Sequence, residues 1–173
     1  MKLLFSALFA AALATMVFLP AGADDNGAVE ILVTPKVIAI SVDQAQLDYG
    51  SPEIGTTDNR PDPVGFNVTN NSTVAVKLQI MGDDTTAVGG GAGWTLGTAA
   101  GDDTYVHRYA VNLASPSYPG EFGLLKKDAE DFLASVAVGA SANLKLSLDM
   151  PTTTSTLVQQ TAPVTVIAME ATP

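Results

Sequence analysis

From residue 37 to the C-terminus the chain alternates apolar and polar side chains with a period of two over most of its length. Val64, Phe66 and Val68 fall on one side of an extended backbone, with Gly65, Asn67 and Thr69 on the other. Val74, Val76, Leu78 and Ile80 repeat the pattern against Ala75, Lys77 and Gln79. That period predicts strands with one dry and one wet face. Between the two runs stands Asn70-Asn71-Ser72, whose side chains readily bond their own backbone, so the runs are expected to pair as an antiparallel hairpin.

The same argument predicts strands at Ile38–Val42, with a short continuation at Leu47–Tyr49, and at Tyr105–Leu113, Asn143–Met150 and Val164–Met169. Pro151 ends one of them because it has no N–H for a ladder. One segment departs from the period. Leu125, Ala129, Phe132, Leu133 and Val136 recur at three- and four-residue spacing among Lys126, Lys127, Glu130 and Asp131, which predicts a short amphipathic helix serving as a lid or crossover. About seven strands with polar turns predict an all-β, two-sheet antiparallel sandwich carrying that one helix.

The N-terminus has a different character. Lys2, the apolar run Leu3–Leu19 and the small residues Ala21-Gly22-Ala23 have the layout of an export signal, expected to span 1–23. Residues 24–36 then read as an N-terminal strand or extension and 37–173 as the sandwich domain. Cleavage leaves 7 basic against 18 acidic residues, a net charge of −11. A surface this acidic disfavours nucleic acid and anionic membranes as partners. There is no cysteine, so disulfides, a thiolate nucleophile and a lipidated N-terminal cysteine are excluded. At this length a core can form without covalent staples. No membrane span is expected in the mature chain.

Candidate chemistry is sparse. His107 is the single histidine and shares a strand face with Tyr105 and Tyr109, where a packed histidine bonded to a neighbour is expected. No Gly-x-Ser-x-Gly elbow occurs, and the chain reads as non-enzymatic. The loop Gly82–Gly101 holds a glycine run ahead of Trp94, the only tryptophan, without the Gly-Lys-Ser/Thr of a phosphate loop. Trp94 reads as a core or rim anchor, or alternatively as a ligand contact for sugar. Asp83, Asp84, Asp102 and Asp103 are candidate calcium ligands, since hard cations take loop carboxylates, although doubled aspartates are also ordinary turn residues. Three triplets beginning at Asn67, Asn70 and Asn71 match the N-glycan acceptor pattern.

Ile40-Ser41-Val42, Leu47-Asp48-Tyr49-Gly50, the run Phe66–Val76 and the run Val138–Pro151 together resemble immunoglobulin-like modules of secreted bacterial and archaeal surface proteins. The resemblance covers about two thirds of the mature chain and implies an immunoglobulin-like sandwich in a surface setting, with no catalytic residues to transfer. The Gly-rich loop and the Leu125–Val136 segment depart from that pattern.

Two functions follow. In the first, the protein is a secreted structural subunit, at the cell surface or in the extracellular space or periplasm, that self-associates or joins other surface proteins in a filament, matrix or surface layer. Val29, Ile31 and Val33 form the expected assembly strand, ahead of Pro35. In the second, it is a monomeric binding module for glycan, calcium or another surface protein.

Overall fold

The computed structural model describes residues 32–172; the export leader and the expected assembly residues Val29 and Ile31 lie outside the described residues. From Pro35 onward the chain forms one compact unit. In chain order its strands are β1 (Ile40–Val42), β2 (Gly65–Asn70), β3 (Val76–Gly82), β4 (Thr86–Ala87), β5 (Thr95–Leu96), β6 (Thr104–Val111), β7 (Gly123–Leu124), β8 (Glu130–Val136), β9 (Ser141–Asp149), β10 (Gln160–Thr161) and β11 (Val164–Glu170). The larger sheet runs β1-β2-β9-β6-β5, with β7 also against β6; the smaller runs β11-β3-β8; β4 and β10 form a ribbon.

Two sheets with one apolar face each must bury those faces against each other. Phe66 and Val68 of β2 and Ala142, Leu144 and Leu146 of β9 meet Val76, Leu78 and Ile80 of β3, Val136 of β8 and Leu125 in one core. Each large apolar side chain so buried contributes about 1.5–3 kcal/mol. The all-β, multi-sheet architecture is thus as the alternation implies; Phe66, Val68, Val76, Leu78, Ile80, Leu144 and Leu146 point inward as it predicts, whereas Val64, placed by it on the dry face, is exposed because it lies just before β2.

The expected β2/β3 hairpin does not form. β2 pairs with β1 and β9, while β3 pairs with β11 and β8, so residues 71–75 arch from one sheet to the other. The buried Asn70 side chain fixes the arch. Its amide nitrogen donates to the carbonyls of Val74 at 3.0 Å and Val136 at 2.9 Å, and its oxygen accepts from Ser72 N at 2.8 Å. Polar turn residues supply the same local bonds to an arch as to a hairpin, and Asn70 uses them to join strands of both sheets.

The expected helix at Leu125–Val136 is also corrected: among the described residues there is no helix, and Glu130–Val136 is the edge strand β8. Its pairing with β3 contains two register shifts. Four residues, Leu133–Val136, face the three of Val76–Leu78, and three, Asp131–Leu133, face Leu78 and Gln79. Each extra residue is a bulge, which resets the inward-facing positions so that Leu133 and Val136 point inward three apart. A doubly bulged strand therefore imitates helical spacing. At Leu47–Tyr49 the continuation is only an isolated bridge between Asp48 and Asp62.

Candidate functional site

The larger sheet has more strands than the smaller one. A groove of about 1120 Å³ lies at the end of the sandwich away from the Asn70 arch, although the Phe66, Leu146 and Leu148 side chains that line it from the larger sheet are themselves nearly fully buried. Phe66, Leu146 and Leu148 form its floor, Val42 of β1 and Val164 and Val166 of β11 flank it, and Trp94 and Met150 lie at its far end. At its mouth Leu157 is 86% exposed.

His107 reaches the groove from β6, opposite Leu148 on β9. Its ring is fully buried; Nε2 lies 2.8 Å from the Tyr49 hydroxyl, and Nδ1 has no hydrogen-bond partner. The Tyr49 ring meets it edge-on at 5.8 Å, with Tyr105 at 6.1 Å. Burial pushes the His107 pKa down to about 4, so the ring is neutral near pH 7. Burial, with a smaller contribution from Tyr105, raises the Tyr49 pKa far above its ordinary value. Neither ring nitrogen bonds a serine or a carboxylate, so the pair lacks the groups of a hydrolytic triad. The groove lining mixes apolar side chains with polar ones, among them Gln44, Gln46, Asp48, Gln159 and Thr161, so it can meet both apolar side chains and a polar backbone.

Trp94 is buried, 9% exposed, in a second core cluster with Leu96, Tyr105, Leu148 and Met150. Its indole N–H donates to Thr154 Oγ1 at 2.9 Å. It is a core anchor, and it also lines the groove.

The four loop aspartates all accept bonds from protein donors, several of them on other segments of the chain. Asp84 accepts from Leu96 N and Lys127 Nζ, at 2.8 and 2.7 Å, and the hydrogen bond from Lys127 does most to hold its carboxyl below the usual range. Asp103 accepts from Ser155 and Thr154, Asp102 accepts from Thr153, and the Asp83 side chain accepts from Asp84 N. The bonds from Ser155 and Thr154 hold Asp103 low in the same way. Among the described residues no three or more acidic or histidine side chains converge as a metal site would require. Of the expected assembly residues only Val33 is described, and it is exposed. Of the glycan triplets, that at Asn70 is buried, while Asn67 and Asn71 are exposed.

A polar cluster that the sequence did not bring to notice lies on the outer face of the larger sheet. The buried Asp149 accepts from Tyr118 Oη at 2.7 Å, Asp58 N at 3.1 Å and Arg108 at 3.3 Å. Asp58 accepts in turn from Arg60 at 2.6 Å and Ser147 Oγ at 2.9 Å. Burial alone would raise the Asp58 pKa, but the bonds from Arg60 and Ser147 outweigh it and hold the carboxyl low. Arg60 lies over the Phe122 ring at 4.7 Å. These carboxylates take protein donors throughout, and the cluster clamps the loops before β2 and after β6 onto the sheet. No signal in the sequence joins Asp58 to Asp149, 91 positions apart.

No family model, curated protein or solved structure matches this chain. Among the described residues no helix is long and apolar enough to cross a membrane.

Proposed function

We propose that the chain is a non-catalytic, extracellular structural subunit, an immunoglobulin-like component of a filament, matrix or surface layer that assembles by strand pairing. The observation that carries this reading is β11. It is seven residues long, uninterrupted by proline or a bulge, and has no strand on its outer side among the described residues. An edge strand left in that state is a template for another chain. The leader pattern of residues 1–23 and the cysteine-free, strongly acidic mature chain support a setting outside the cell. The test is electron microscopy of mature protein, residues 24–173, beside the same chain lacking 24–34. Filaments or sheets from the first, and folded single particles from the second, are expected. Dispersed single particles from both overturn the reading.

A second reading, a monomeric module for glycan, calcium or another surface protein, is favoured by the groove, whose lining holds Trp94 together with polar side chains such as Gln159 and Thr161. A ligand seen only by the folded state must raise the melting temperature. If neither calcium nor carbohydrate does so, this reading falls.

A further inference from the structure

We infer that the groove between β1 and β11 is the receiving site for the Asp24–Thr34 segment of a second copy of this chain, which pairs with the free edge of β11 and turns Val29, Ile31 and Val33 into the groove. The inference rests on the assembly reading and adds to it the site, the occupant and the polarity of the contact.

Geometry separates the two ends of this contact. Residues 37–42 run antiparallel to 68–73, with backbone bonds from Thr73 N to Val37 O and from Asn71 N to Ala39 O continuing the β1/β2 ladder past the end of β2. Lys36 meets Glu170 at the end of β11. The backbone therefore enters the domain at the arch end. Thr34 precedes Pro35 and is restricted to extended conformations, as a strand donor requires. The groove lies at the opposite end, beside Val42, the first residues of β11 and the last of β9. A donor at one end and an acceptor at the other give a head-to-tail contact, which propagates when the rotation between copies does not close a ring.

The dimensions and chemistry match. β11 spans about 23 Å, and the 11 residues 24–34 reach about 36 Å when extended, enough to lie along it. β11 points Val164, Val166 and Ala168 inward at period two, the same period at which the donor presents Val29, Ile31 and Val33. Ladder bonds would satisfy the edge of β11 that has no strand beside it among the described residues.

The chain has no cysteine, so introduced thiols report a contact without background. Mature Leu32→Cys is mixed with mature Thr165→Cys or Ile167→Cys carrying a mass tag, at positions facing outward on donor and acceptor, and mildly oxidised. The expected product is a disulfide dimer of mixed mass, and adding Ile31→Asp to the donor lowers its yield about tenfold or more. Circular dichroism and Trp94 fluorescence confirm that each variant is folded. Dimers of like variants alone, or a Leu32→Cys/Thr165→Cys double variant that closes within one chain, overturn the inference. Filaments by microscopy with no mixed dimer overturn the groove assignment and leave the assembly reading standing; no assembly in any variant overturns both.

Discussion

The Asn70 side chain donates to the Val136 carbonyl at 2.9 Å, tying the last residue of β2 in one sheet to the last residue of β8 in the other. Asn70 is 1% exposed. Its side-chain amide also bonds the Val74 carbonyl and the Ser72 N–H, its backbone N–H donates to Ala140 O, and its carbonyl accepts from Gly139 N. Two of the crossings between the sheets, 71–75 and 137–140, are therefore held by one residue.

Asn70→Ala leaves two carbonyls and one N–H without partners in a closed interior, which costs about 2–4 kcal/mol. Urea unfolding followed by Trp94 fluorescence should show a lower midpoint with little change in slope. An unchanged midpoint would remove the arch from the determinants of the fold.

His107 makes stability acid-sensitive in a defined window. Its pKa is about 4 when folded against 6.5 unperturbed, so as pH falls the unfolded chain takes up the proton first. The stability is complete above about pH 6.5 and is lost progressively towards pH 4, by about 3 kcal/mol. His107→Leu should flatten that part of the profile. Asp58 and Asp84, held below their ordinary value of 3.8, act in the same sense over a lower window; their contribution is present above that value and lost beneath it. Urea midpoints at half-unit steps from pH 7 to 4 read the difference.

Gly65 is where β2 comes closest to β9: a Cβ there would collide with the Leu144 carbonyl. Gly65→Ala must push the two strands apart, costing about 1–3 kcal/mol. Hydrogen exchange should rise first at the Gly65–Lys145 end of the ladder.

On the proposed reading, copies that each carry −11 after cleavage would assemble against their mutual repulsion. Raising salt from 0.01 M to 0.15 M shortens the screening length from about 30 Å to about 8 Å, so light scattering by the mature protein should increase. A fall with salt would instead mark a contact driven by ion pairs.

Much of the core was legible. The period-two positions of Phe66 and Val68, of Val76, Leu78 and Ile80, and of Leu144 and Leu146 are the buried ones, because burial of one strand face is written locally. His107 was placed correctly on a packed face, but its partner Tyr49 is 58 positions away and carried no sequence signal. The doubled aspartates and Trp94 were visible as residues, while their use in loop bonds and in the second core cluster was not.

Alternation along each segment determined that this chain is built of strands, which side of each is dry, and which polar residues turn the chain, since these depend on neighbours one or two positions away. The tertiary structure alone decided that β2 and β3 belong to different sheets, that Glu130–Val136 is a bulged strand, and that a groove of mixed polarity lies between β1 and β11. Those outcomes depend on which distant strands share ladder bonds and on how far one sheet covers the other, and no local pattern encodes either.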